Sequence, residues 1–115
     1  MATPTLVFGG GILTAPYVES ADEVQGYLDV LEELGIKIID TAAVYGDSEK
    51  HLGERGAASR FTIDTKHAAM MSPEPSTKDV VVASGKESLK KLATSQVCSH
   101  PRLKQPEAFI QKLPF

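Results

Sequence analysis

The chain has 115 residues, of which 42% are apolar and 23% are charged, with a formal net charge of −3 and a single cysteine, Cys98. This length allows one domain at most, and the weakly acidic balance argues against nucleic-acid binding, so a small-molecule partner is expected. One cysteine cannot form an intramolecular disulfide, and no apolar run has the length needed to span a bilayer. We therefore expect a cytoplasmic protein that is not embedded in a membrane.

The first predicted element is a short strand followed by a loop. Residues 5–8 (TLVF) are apolar or β-branched, which favours a strand, and the three glycines at 9–11 permit a loop. These glycines are not a phosphate-binding loop, because the pattern Gly-x-Gly-x-x-Gly is absent and Pro16 precedes the first helix.

An amphipathic helix is predicted next. Ser20 and Glu23 form a capping box at its start, and Gly35 is suited to its end. Apolar residues three and four positions apart would form its buried face: Val24, Tyr27, Leu28, Leu31 and Leu34.

The remaining pattern alternates strands and helices. Residues 37–39 predict a second strand, and residues 48–52 predict a short helix that Gly53 would stop. A third strand is predicted over residues 61–65 and a second long helix over residues 77–92. The order βαβαβα predicts an α/β fold with a parallel sheet and right-handed crossovers. The inward positions of the second long helix would be Val81, Gly85, Leu89 and Leu92.

Three polar residues stand where predicted strands end. Asp40 follows the second strand, Tyr45 lies in the loop after it, and Lys66 follows the third strand. The carboxyl ends of parallel strands share one edge of a sheet, and barrel enzymes place their chemistry there. A cation beside a phenol stabilises the phenolate, so this set can supply a proton donor near neutral pH. The structural alternatives are a turn carboxylate, a tyrosine packed at the rim and a solvated lysine.

The segment around these residues resembles a known family. The stretch IIDTAAVYGDSEKHLGE is similar to the Asp-Thr-Ala-x-x-Tyr-Gly-x-Ser-Glu signature of aldo-keto reductases, especially the branch of aflatoxin aldehyde reductases and related fungal enzymes. FTIDTK resembles the family's third strand with its catalytic lysine, and SGKESLKKLATSQV resembles the helix leading to its fourth strand. The resemblance covers roughly residues 4–97.

The resemblance implies a (β/α)8 TIM barrel, of which this chain would carry the incomplete N-terminal βαβαβα portion. It also implies NADPH as cofactor and a small carbonyl compound as substrate, with an aldehyde or ketone reduced to an alcohol. By resemblance Tyr45 would donate the proton, Lys66 would favour that donation, and Asp40 would orient the lysine and contact the nicotinamide ribose. The branch suggests a role in secondary metabolism.

The family's fourth catalytic residue, a histidine that closes strand four, has no match in this chain. Leu103 stands at about its position, whereas His100 lies about three residues earlier in a polar context and is interpreted as a solvated tail residue. We therefore predict a partial barrel over residues 1–97 and a divergent irregular tail over residues 98–115, as a truncation of the family's barrel would leave.

The other ionisable residues near the signature are interpreted as surface groups. Glu49 and Glu54 would lie on the exposed face of the short helix, and His51 and His67 would be solvated. A metal site needs two or more well-spaced ligands, so none is expected.

Three strands of a barrel would leave two unpaired edges and an open interior face, on which Ile36, Ile38 and Ile63 would lack an opposing layer. Two functions therefore stay open. The first is a carbonyl reductase impaired by truncation, and the second is a catalytically inactive remnant that associates with a full-length relative through its strand edges. A third alternative, a small flavodoxin-like binding module, would need a fourth strand that the sequence does not show.

Overall fold

Three short parallel strands and three α-helices dominate the computed structural model, which describes residues 3–68, 71, 73 and 75–97. The predicted βαβαβα order is confirmed, and a single 3₁₀ turn follows β1 and another precedes β3. The elements are β1 (Val7–Gly9), α1 (Ala21–Glu33), β2 (Ile38–Asp40), α2 (Ser48–Glu54), β3 (Thr62–Asp64) and α3 (Lys78–Lys91). The predicted tail over residues 98–115 lies outside the described residues.

The sheet is parallel and follows chain order, β1-β2-β3. Its register places Phe8 opposite Ile39 and Ile39 opposite Ile63. Because side chains alternate along a strand, these three share one face, and they pack there in the core beneath the helices. The prediction that Ile36 and Ile63 lack an opposing layer is wrong, because Ile63 lies in the core and Ile36 packs against it. Ile38 is half-buried and lies on the opposite face of the sheet from Ile63.

The ends of α1 follow the predicted signals. The Ser20 side chain accepts a hydrogen bond from the Glu23 amide at the helix start. Gly35 has a φ of +73°, and the Ile36 amide donates to the Leu31 carbonyl oxygen at 3.0 Å, which ends the helix in a Schellman motif.

The buried face of α1 is narrower than predicted. Val24, Leu28 and Leu31 are buried, whereas Tyr27 is 37% exposed and Leu34 is 68% exposed. The buried three share one stripe of the helix that faces the sheet, and Tyr27 and Leu34 lie on the flank of this stripe. The Tyr27 ring lies 6.3 Å from the Phe8 ring of β1.

Gly53 lies inside α2 and does not stop it as predicted, since the helix continues to Glu54. The chain turns instead at Gly56, which has a φ of +63°. A Cβ at Gly53 would lie 1.8 Å from the Lys91 carbonyl oxygen. Glycine therefore allows α2 to approach the C-terminal end of α3 more closely than any other residue could.

Helix α3 (Lys78–Lys91) lies within its predicted range of residues 77–92, and most of its predicted inward positions are buried. The Thr77 side chain accepts a hydrogen bond from the Val80 amide, and Gly85, Leu89 and Leu92 are buried. No helix in the described part of the chain is both long and apolar enough to cross a bilayer.

Arg60 fastens the N-terminal end of β3 to α1. Its guanidinium donates to Asp29 Oδ1 at 3.0 Å and to Glu32 Oε2 at 2.7 Å, and it lies over the Phe61 ring. The hydrogen bond from Arg60 is the main cause that lowers the pKa of Asp29 below its ordinary value. These contacts lie at the end of the sheet opposite to Asp40.

The substitution Gly53→Ala is expected to lower the free energy of unfolding by about 1–3 kcal/mol, because the added methyl group would force α2 and α3 apart. Urea denaturation followed by circular dichroism measures this change. Gly26→Ala is the matched control, since Gly26 lies inside α1 and a Cβ there would meet nothing within 4 Å. The control should stabilise the protein by about 0.5–1 kcal/mol through helix propensity. Equal stability of Gly53→Ala and wild type would contradict the close helix contact.

Candidate active site

The three predicted site residues lie together at the C-terminal edge of the sheet. The Lys66 ammonium donates one hydrogen bond to Asp40 Oδ1 and another, of 2.9 Å, to the Thr41 carbonyl oxygen. The same nitrogen lies 5.7 Å from the centroid of the Tyr45 ring. The structure therefore brings Asp40, Tyr45 and Lys66 into one cluster, and their catalytic roles stay predictions.

Backbone pairing beyond the strand ends holds Lys66 in place. The Thr41 amide donates to the Asp64 carbonyl oxygen at 2.8 Å, and the Ala43 amide donates to the Lys66 carbonyl oxygen at 3.0 Å. These bonds continue the β2–β3 ladder, in which Asp40 lies opposite Asp64. Lys66 therefore lies beside Ala43, in the loop that follows β2, and its side chain reaches Asp40 at the end of β2.

The cluster is accessible to a ligand. The side chains of Asp40 and Lys66 are 38% and 36% exposed, and the Tyr45 side chain is half-buried. Within the described residues the Tyr45 hydroxyl makes no hydrogen bond, so it is available to donate one to a bound molecule. An ion pair this exposed adds little to stability.

Two turns and a close contact set the position of Tyr45. Its amide donates to the Ala42 carbonyl oxygen at 3.1 Å, and its carbonyl oxygen accepts from the Ser48 amide at 3.0 Å. Gly46, with a φ of +51°, reverses the chain directly after it. Gly11 follows β1 beside the aromatic ring, since a Cβ there would lie 3.8 Å from ring carbons.

Two buried polar residues at the start of α2 were not expected in the site. Ser48 is 0% exposed, and its hydroxyl donates to the Gly10 carbonyl oxygen at 2.9 Å and lies 2.8 Å from Thr41 Oγ1. Glu49 is 2% exposed and accepts a hydrogen bond of 2.5 Å from Thr65 Oγ1. The prediction of an exposed Glu49 is therefore wrong.

A sequence signal for these residues existed in their spacing. Ser48 and Glu49 lie four and three positions before Leu52, which is 0% exposed, so all three share the buried face of α2. Glu54 lies off this face and is exposed as predicted.

The histidines near the signature also differ from their predicted surface positions. His51 is 7% exposed, and its Nδ1 donates to the Leu13 carbonyl oxygen at 2.9 Å. His67 is half-buried, and its Nε2 lies 3.4 Å from Ser76 Oγ. The described residues contain no group of three or more potential ligands arranged for a metal ion. His100 and Leu103, considered above for the fourth catalytic position, lie outside the described residues.

Sequence comparison identifies the class of protein that carries this edge cluster. The model of the Aldo/keto reductase family matches residues 5–97. The chain is also 34% identical over 80 residues to the oxidoreductase sirO of Leptosphaeria maculans, a match that covers 68% of this chain and 24% of that protein. The chain belongs to the aldo/keto reductase family.

Solved structures agree with this assignment and confirm the fold class as part of a TIM barrel. An aldo-keto reductase structure from Pseudomonas aeruginosa superimposes with a TM-score of 0.66 at 27% identity, covering 84% of this chain and 40% of that one. An aldo-keto reductase from Bacillus halodurans in its holo form shares the fold, with a TM-score of 0.63 at 22% identity, covering 81% of this chain and 33% of that one. The chain thus spans well under half the length of these relatives.

The loop that holds Tyr45 gives a stability prediction. Gly46→Ala would place a Cβ 2.5 Å from Thr14 Oγ1, which accepts a hydrogen bond from the Asp47 amide. Gly35→Ala is the matched control, because Gly35 also has a positive φ but a Cβ there would meet nothing within 4 Å. Both substitutions should lower the free energy of unfolding by about 1–2 kcal/mol, because alanine is strained at a positive φ.

Gly46→Ala should lower the free energy of unfolding by about 1 kcal/mol more than Gly35→Ala does. The reason is that the Thr14 side chain must turn away, which leaves the Asp47 amide without its hydrogen-bond partner. Urea denaturation of the two variants side by side measures the difference. Equal losses would show that the Thr14 contact does not constrain the loop.

Proposed function

We propose that this chain carries the Asp40, Tyr45 and Lys66 part of an NADPH-dependent aldo-keto reductase site that reduces an aldehyde or ketone to an alcohol. The observation that carries the proposal is the Lys66 ammonium, which is hydrogen-bonded to Asp40 and lies against the Tyr45 ring. Family membership supports it, and the related sirO protein is named an oxidoreductase.

The chemistry proposed for this edge is a proton transfer coupled to reduction. NADPH, when bound, supplies hydride to the carbonyl carbon. The Tyr45 hydroxyl, which has no other hydrogen bond among the described residues, donates its proton to the carbonyl oxygen, so a full alkoxide charge does not develop. Lys66 stabilises the phenolate left behind, because its ammonium lies beside the ring.

The part of the cofactor that fits this edge is its nicotinamide ribose. Asp40 is 38% exposed, and Lys66 holds only its Oδ1. The other carboxylate oxygen is left to accept a hydrogen bond from a ribose hydroxyl, which is the contact that the family resemblance implies. Barrel folds commonly bind phosphate with the loops after strands seven and eight, and these would lie beyond the three strands described.

A second candidate function is association without catalysis. Within the described residues β1 and β3 each pair with one neighbour, so each has an unpaired edge. One flank of α1 is apolar and exposed at Tyr27, Val30 and Leu34, and the Tyr27 ring on this flank lies near Phe8 of β1. These features favour an inactive chain that binds a full-length relative through its strand edges.

We also propose that the chain belongs to the fungal branch of the family, acts in secondary metabolism and is located in the cytoplasm. The resemblance supports the fungal branch and secondary metabolism, and the single cysteine supports a cytoplasmic location. A fluorescent fusion that accumulates outside the cytoplasm would refute the location.

NADPH-dependent reduction of 4-nitrobenzaldehyde, followed by absorbance, tests the proposed catalytic role. Tyr45→Phe should lower turnover by roughly a hundredfold to ten-thousandfold, because the proton donor is lost. Tyr17→Phe is the matched control, since Tyr17 is 66% exposed and should leave turnover unchanged. Equal turnover by Tyr45→Phe and wild type would refute the role of Tyr45. A folded wild-type chain with no turnover would favour the association function.

The purified 115-residue chain is expected to bind NADPH weakly, because the phosphate contacts of the barrel lie beyond its three described strands. Titration of NADPH fluorescence with the chain measures the dissociation constant. Submicromolar affinity would contradict this expectation and place the phosphate contacts within the 115 residues.

A further inference from the structure

The N-terminal turn of α2 contacts the ends of all three strands through hydroxyl and carboxylate groups. Ser48 Oγ has one proton, which it donates to the Gly10 carbonyl oxygen directly after β1. The 2.8 Å contact between Ser48 Oγ and Thr41 Oγ1 must therefore use the Thr41 proton. Ser48 thus joins the end of β1 to the end of β2.

Glu49 makes the equivalent contact with β3. Its Oε1 accepts the proton of Thr65 Oγ1 at 2.5 Å, and Glu49 and Thr65 are 2% and 7% exposed. A carboxylate is costly to bury, and an apolar side chain of similar volume commonly serves the core as well or better. Packing therefore does not explain why α2 places a serine and a glutamate here.

Each of these contacts involves a threonine that is adjacent in the chain to Asp40 or Lys66. Thr41 follows Asp40 and accepts a hydrogen bond from Lys66 through its carbonyl oxygen. Thr65 directly precedes Lys66. The segment between Thr41 and Ser48 contains Tyr45, so the Thr41–Ser48 hydrogen bond closes the loop that carries the proposed proton donor.

We propose that Ser48 and Glu49 are positioning residues that hold Lys66 against Asp40 and Tyr45 by fixing Thr41 and Thr65. The functional meaning of this inference rests on the reductase function proposed above for the same site. Neither residue contacts the reacting atoms, and each acts through a threonine that is adjacent to a site residue. Loss of either contact frees the Lys66 amine for part of the time without removing any site residue.

Acylation of lysine amines by limiting acetic anhydride, read by peptide mass spectrometry, tests the proposal on the 115-residue chain. An amine that donates to two fixed oxygens reacts more slowly than a free one. Thr65→Val and Ser48→Ala should each raise the acylation rate of Lys66 about fivefold, as expected for loss of one hydrogen bond. Thr65→Ser keeps the hydroxyl and should react like wild type.

Lys50, whose side chain is 60% exposed, is the internal reference and should react at one rate in every variant. Asp40→Asn removes the negative charge that pairs with Lys66. The acylation rate of Lys66 in this variant therefore serves as the reference for an amine without its ion pair. An unchanged Lys66 rate in folded Thr65→Val and Ser48→Ala would overturn the proposal. A rise shared equally by Lys50 and Lys66 would also overturn it, because it would indicate general loosening.

Thr65→Val removes the contact with the end of β3, whereas Ser48→Ala removes the contacts with the ends of β1 and β2. If one of these two variants does not fold, the other decides the result. The labelling uses no cofactor or substrate, so it separates this inference from the reductase proposal. A chain without turnover can still show the Lys66 response, and a chain with turnover can lack it.

Discussion

The candidate site depends on the parallel register between β2 and β3. Asp40 lies opposite Asp64, and backbone hydrogen bonds continue the pairing as far as Ala43 and Lys66. A lysine placed there reaches both the carboxylate at the end of β2 and the carbonyl oxygen after it. A shift by one residue would turn Lys66 to the other face of the sheet, because side chains alternate along a strand. The acid, the amine and the phenol are therefore neighbours because of backbone geometry, and the two hydrogen bonds of Lys66 hold the final arrangement.

Close contacts between segments support this register. Gly10 lies against the end of β2, where a Cβ would come within 3.1 Å of the Asp40 carbonyl oxygen, and Gly53 allows α2 to approach α3. The start of α2 is thereby brought to the strand ends, where Ser48 and Glu49 replace water as hydrogen-bond partners of buried groups. Buried polar side chains at a helix start are uncommon in an apolar core, and here they fit the proposed role of Ser48 and Glu49 in positioning Lys66.

The two faces of the sheet have different surroundings. Ile39 and Ile63 are covered by helices, whereas Val7, on the other face of β1, is 42% exposed. In a complete (β/α)8 barrel this second face lines an interior that is filled with side chains. The site edge thus combines a well-packed support with an open side. The packed face supports the proposed carbonyl reduction, and the open face supports the proposed association with a relative.

Periodicity and local signals were sufficient to predict the order of the elements, the cap at Ser20 and the turn at Gly35, because each depends on neighbours in the chain. The cluster of Asp40, Tyr45 and Lys66 was also predictable, because the carboxyl ends of parallel strands share one edge of the sheet. The burial of single side chains depended on which segments meet. Tyr27 and Leu34 are exposed because they flank the stripe of α1 that faces the sheet, and Glu49 and His51 are buried because α2 begins against the strand ends. Gly53 could be recognised as a packing residue only once α3 was in place, since the carbonyl oxygen it accommodates is 38 positions away at Lys91.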